Sequence, residues 1–108
     1  PTVREADGLA LSSRNSYLTP EQRAAAPQIH RALSAAKARF EAGERNAEAL
    51  RDAMRTVIAA QPLMSLDYVS VADADTLREL AVVETRALAS MAVRLGTTRL
   101  IDNLVLGA

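Results

Sequence analysis

The chain contains no cysteine, which excludes disulfides, thiol catalysis and cysteine zinc sites together. It has no tryptophan, only 3% aromatic residues, and 13 Lys+Arg against 13 Asp+Glu. A nucleic-acid surface would show a basic excess with base-stacking aromatics, so this balance argues against such a partner. No apolar run approaches the roughly 20 residues needed to cross a bilayer, and the first residues show no signal-peptide pattern. The expectation is a cytoplasmic protein with no membrane partner. An initiator Met is also lacking: Pro1 stands first, which suggests a domain cut from something longer. What is present is 108 residues, 49% of them hydrophobic. That length fits one compact domain burying about 65% of its unfolded surface.

Thr19-Pro20-Glu21-Gln22 is the firmest local signal: Thr19 as N-cap, Pro20 in the first helical position, and Gln22 completing a capping box. Ile29, Leu33, Ala36 and Phe40 continue an apolar stripe at helical spacing. Pro27 interrupts it, because its ring clashes with the carbonyl of Arg23, and this predicts a short helix followed by a longer one. Gly43 suits a C-terminal cap and Asn46 an N-cap for a further helix. There Leu50, Met54, Val57 and Ile58 form the inward stripe, and Gln61-Pro62 closes it. The period then changes. Leu66 to Val71 reads as a strand, Asp73 to Thr76 as caps for a short helical turn over Leu77 and Leu80, and Leu88–Leu95 with Arg99–Leu106 as two more strands. Gly96 to Thr98 suits a hairpin loop of three to five residues. In the last strand Leu100, Asp102, Leu104 and Leu106 share one side. The predicted class is α+β: a helical hairpin packed on a small, about three-stranded antiparallel sheet, with an N-terminal phosphate-binding loop. Residues 1–18 are the loop and its lead-in, and 19–108 the compact part.

That loop is Asp7-Gly8-Leu9-Ala10-Leu11-Ser12-Ser13-Arg14-Asn15. Gly8 permits unusual backbone angles, Ser12 and Ser13 offer hydroxyls and N–H donors, and Arg14 offers a planar fork matching phosphate oxygens. By spacing alone it is also what an ordinary polar turn looks like. Arg4-Glu5-Ala6-Asp7-Gly8-Leu9-Ala10-Leu11-Ser12-Ser13-Arg14-Asn15 closely resembles a segment of the pantothenate synthetase, or pantoate-β-alanine ligase, family. Tyr17 to Arg23, Ala42 to Arg45, Asp73 to Leu77 and Arg99 to Asn103 resemble that family's C-terminal domain in the same order.

The resemblance implies a two-step enzyme. Pantoate is activated by ATP to pantoyl adenylate and pyrophosphate, and the β-alanine amine then displaces AMP to form pantothenate. It implies that Ser12, Ser13 and Arg14 contact the ATP phosphates, with Leu11 flanking the nucleotide. Mg2+ is expected with ATP through a missing Rossmann-like domain, which would also hold pantoate and β-alanine and mediate a homodimer. The chain would be a lid over that domain and inactive alone. The alternative from the residues is a non-catalytic binding or assembly domain.

Other features read as structural. His30, without a second ligand nearby, is a structural or surface residue. Asp73 and Asp75 are caps, Asp102 and Asn103 have turn, edge or hydrogen-bonding roles, and Met54, Met64 and Met91 pack. Arg4 and Asp7 are expected to pair and shape the loop.

Overall fold

The computed structural model describes residues 3–10 and 12–107. Helix α1 (Pro20–Ala25) begins as the capping box dictates: Thr19 Oγ1 accepts from the Gln22 N–H, and Gln22 Oε1 accepts from the Thr19 N–H at 2.9 Å. Pro27 ends it. Helix α2 (Gln28–Glu41) follows after a two-residue turn at Ala26-Pro27. Gly43, at φ +112°, closes α2 in a left-handed cap, with its N–H donating to the Phe40 carbonyl. Asn46 Oδ1 then accepts from the N–H groups of Glu48 and Ala49, starting α3 (Ala47–Ala59).

Strands β1 (Met64–Asp73), β2 (Ala87–Leu95) and β3 (Thr98–Leu106) form an antiparallel sheet in the order β1-β2-β3. α2 and α3 pack on one face. Leu33, Leu50, Met54, Met91, Leu95 and Leu106 are fully enclosed between the layers, and burying one such side chain contributes about 1.5–3 kcal/mol. Ala32, Ala36 and Ala47 are fully buried as well, small enough to let neighbouring elements approach closely. On β3, Leu100, Asp102 and Leu106 lie inward, while Ile101 and Val105 are half exposed on the outer face. This is the predicted alternation.

Three expectations are corrected. The β2–β3 loop has two residues, because Leu95 pairs directly with Thr98. Gly96 at φ +62° supplies the left-handed first position that so tight a turn demands. No helical turn forms over Leu77 and Leu80. Asp73 Oδ1 does cap the N–H groups of Asp75 and Thr76, at 2.9 Å each, but Leu77 swings to φ +63°. The chain then folds back, with the Asp73 N–H donating to the Arg78 carbonyl and Ala72 bridging to Glu79. The lead-in is also more ordered than a plain loop: Ser13–Tyr17 is a 3-10 helix. A further feature has no signal in the sequence. Pairing slips by one residue between Leu66 and Tyr68, leaving Asp67 as the extra residue of a bulge in β1.

Acid should weaken this fold in a predictable direction. Backbone N–H groups of Thr76 and Asp75 hold the Asp73 carboxyl below its usual range, and the Arg23 guanidinium does the same for Asp7. A carboxylate with a depressed folded pKa stabilises above its unfolded value, near about 4, and loses that contribution as pH falls through the folded one. The thermal midpoint should therefore be level from pH 7 to about 5 and decline below about 4. Asp73→Asn should make that decline shallower. An equally steep decline in the variant would show that Asp73 has no part in it.

Candidate functional site

A small hairpin in the lead-in builds the site. Arg4 bridges to Ala10, and the Glu5 N–H donates to the Leu9 carbonyl at 2.8 Å. Gly8 takes φ +93°, and a Cβ there would lie 2.5 Å from His30 Cδ2. Only glycine permits both that backbone and that approach. Leu9 is buried in the core beside this turn.

Two arginines pin the hairpin, and the expected Arg4–Asp7 pair does not form. Arg4 reaches instead to β3, where its Nη1 donates to Asp102 Oδ2 at 2.5 Å and its Nη2 to Asp102 Oδ1 at 3.1 Å. Nη1 also donates to the Gly8 carbonyl at 3.0 Å. Asp102 is only 5% exposed, so a carboxylate with that little access to water needs such a partner. Asp7 goes to Arg23 of α1, whose Nη1 donates to Asp7 Oδ2 at 2.8 Å while Nη2 lies 3.2 Å from Glu5 Oε2. Local sequence cannot choose between these pairings, since Arg4 and Asp102 meet only after the sheet has formed.

The hairpin delivers the chain into the 3-10 helix. Ser12 caps it, with Oγ accepting from the Arg14 N–H at 3.2 Å, and Asn15 Nδ2 donates back to the Ala10 carbonyl at 3.0 Å. Arg14 projects toward β3, where its Nη1 donates to the Arg99 carbonyl at 3.3 Å. Among the described residues Arg14 makes no ion pair, so its charge is uncompensated.

A cleft of about 320 Å³ opens between this segment, α2 and the start of β3. Ser12 and Arg14 line it together with Asn15, His30, Arg99 and Asp102. Ser13 is exposed beside it, its carbonyl accepting from Ser16 Oγ, and is not among the lining residues. Leu11 lies outside the described residues. Asn15, His30 and Arg99 are therefore additions to the sequence reading. Two of them leave a buried polar atom without a partner among the described residues, Asn15 Oδ1 and His30 Nδ1. Ser12, Arg14 and Asn15 share one short stretch, whereas His30 and Arg99 lie far from it in sequence, and only topology brings them here. The cleft thus joins hydroxyl, amide, imidazole and guanidinium groups around a net positive edge, which suits an anionic ligand. Asp102, the carboxylate that lines it among the described residues, is already engaged by Arg4.

The model of the pantoate-beta-alanine ligase family matches residues 1–105 of the chain. The chain belongs to the pantoate-beta-alanine ligase family. It is 67% identical over 108 residues to the pantothenate synthetase of Roseiflexus sp. (strain RS-1), covering 100% of the chain and 39% of that relative. It is 57% identical to the pantothenate synthetase of Herpetosiphon aurantiacus, covering 98% of the chain and again 39% of the relative. The crystal structure of pantothenate synthetase from Thermus thermophilus superposes with a TM-score of 0.90 at 41% identity, covering 96% of the chain and 37% of that structure. This ligase-family chain thus spans about 39% of the length of the curated relatives it matches.

Proposed function

We propose that the chain is the C-terminal lid of an ATP-dependent ligase that condenses pantoate with β-alanine through pantoyl adenylate, giving pantothenate, AMP and pyrophosphate. The observation that carries this reading is Arg14, which stands at the cleft without an acidic partner among the described residues, in a chain matched almost end to end by the ligase family. In the first step a pantoate carboxylate oxygen bonds to the α-phosphorus and the bond to the β-phosphate oxygen breaks. Negative charge then grows on the departing pyrophosphate, where prepositioned donors lower the barrier by stabilising the transition state more than the ground state.

Ser12, Ser13 and Arg14 are the donors proposed for those oxygens, with Leu11 beside the nucleotide. In the second step the β-alanine amine attacks the adenylate carbonyl, loses a proton and expels AMP. The pockets for pantoate and β-alanine, and the homodimer contact, are assigned to the portion outside this chain. So is Mg2+: among the described residues there is no cluster of three carboxylate or imidazole groups able to hold a metal, and no step here runs through the ion. By this reading the isolated chain is inactive, and the full-length protein works in the cytoplasm.

The test is pyrophosphate release. A full-length ligase carrying this chain as its C-terminal portion should release pyrophosphate only when ATP and pantoate are both supplied, and the same protein lacking these residues should release essentially none. Equal release without them would identify the chain as the non-catalytic assembly domain that is the alternative.

A further inference from the structure

Arg14 and Arg99 line a second recess as well as the cleft. This open hollow of about 610 Å³ is bordered by Arg14, Tyr17, Thr97, Thr98 and Arg99. The two-residue turn at Gly96-Thr97 brings the start of β3 alongside the 3-10 helix, and Arg14 Nη1 grips the Arg99 carbonyl there.

The Arg99 side chain is held in an unusual way. The bulge in β1 turns out Asp67, whose Oδ2 accepts from Arg99 Nε at 2.7 Å and whose Oδ1 accepts from Arg94 Nε at 3.1 Å. Both contacts use the Nε edge. Among the described residues the terminal Nη groups of Arg99 make no hydrogen bond, and the guanidinium stands 5.9 Å from the centroid of the Tyr68 ring. One carboxylate therefore steadies two arginines through Nε and leaves the Nη groups of both without a hydrogen bond among the described residues. Arg94 and Arg99 share that single carboxylate, and Arg14, which donates to the Arg99 carbonyl, makes no ion pair among the described residues. Arg14 and the unspent Nη groups of Arg99 therefore make a local excess of positive charge where both residues line the same two recesses, complementary to a polyphosphate and to no neutral or cationic ligand.

We infer that Arg99 is a second phosphate-binding residue, which with Arg14 holds the pyrophosphate end of ATP as it becomes the leaving group. The inference rests on the proposed ligase function and extends it. Asp67 is the positioning residue behind Arg99, and the Thr97 and Thr98 hydroxyls offer further donors at the rim. Two guanidiniums on one leaving group fix its direction of departure, which one exposed arginine cannot do.

The experiment compares inhibition by inorganic pyrophosphate with inhibition by AMP, both against ATP, in the full-length ligase. Arg99→Gln should weaken pyrophosphate inhibition by about tenfold or more, the value of a charge-assisted hydrogen bond. AMP, which lacks that end, should inhibit within about twofold of the parent. Arg94→Gln loses a contact to the same carboxylate but lines neither recess, and should change neither inhibitor. Unchanged pyrophosphate inhibition in Arg99→Gln, equal weakening of both inhibitors, or the same loss in Arg94→Gln overturns the inference. If Arg14→Ala weakens pyrophosphate inhibition while Arg99→Gln does not, the inference fails and the ligase reading stands. If neither weakens it, both fail.

Discussion

Replacing Arg14 by alanine in the full-length ligase is expected to slow pyrophosphate release by about 10²–10³-fold, the loss typical of removing one donor aimed at developing charge. The effect should fall on the rate of the chemical step, because charge on the leaving group is fully expressed only as the phosphorus–oxygen bond breaks. Arg14→Lys should recover part of it, since an ammonium keeps the charge without the two-pronged geometry. The fold should not notice: Arg14 is exposed and its side chain donates only to the Arg99 carbonyl among the described residues. An unchanged thermal midpoint alongside the lost rate separates chemistry from structure. An unchanged rate of pyrophosphate release would remove Arg14 from the site.

The second large effect is on stability. Asp102→Ala should destabilise the chain by about 3–5 kcal/mol, the cost of stripping one partner from a buried ion pair. Arg4 is 18% exposed and Asp102 5%, so the guanidinium left behind has little water to turn to. Against a total stability of about 5–15 kcal/mol, that is a large fraction. The double variant Arg4→Met with Asp102→Leu should regain much of the loss, because matched apolar groups avoid the desolvation cost. The urea midpoint measures both. A loss under about 1 kcal/mol would mean that the pair behaves as a surface contact.

The helices and strands were legible because their signals are local. Thr19, Pro20 and Gln22 lie within four positions of one another, and the alternation along β3 survives into the sheet. Where the reading failed, the deciding contact was distant in sequence or turned on a backbone angle. Arg4 chose Asp102 over Asp7, 98 positions away rather than three. A helical turn after Asp73 was a fair expectation from its caps, but the chain folds back onto β1 and Leu77 takes a conformation that side chains avoid. The candidate site divides in the same way. Ser12 and Arg14 sit in a readable motif, whereas Arg99 gains its meaning from the bulge at Asp67 and from a turn shorter than expected.

The cleft is closed by residues far apart in the chain, Ser12 and Arg14 on one side and Arg99 to Asp102 on the other. On a ribosome the chain emerges in order, so the segment carrying Ser12 and Arg14 is made early and waits for its opposite wall. Helices α2 and α3 lack until then the sheet that covers their apolar faces, and the Arg4–Asp102 clasp has no partner until the last strand is out. Truncation anywhere before β3 is complete therefore leaves Ser12 and Arg14 without the wall that closes their cleft.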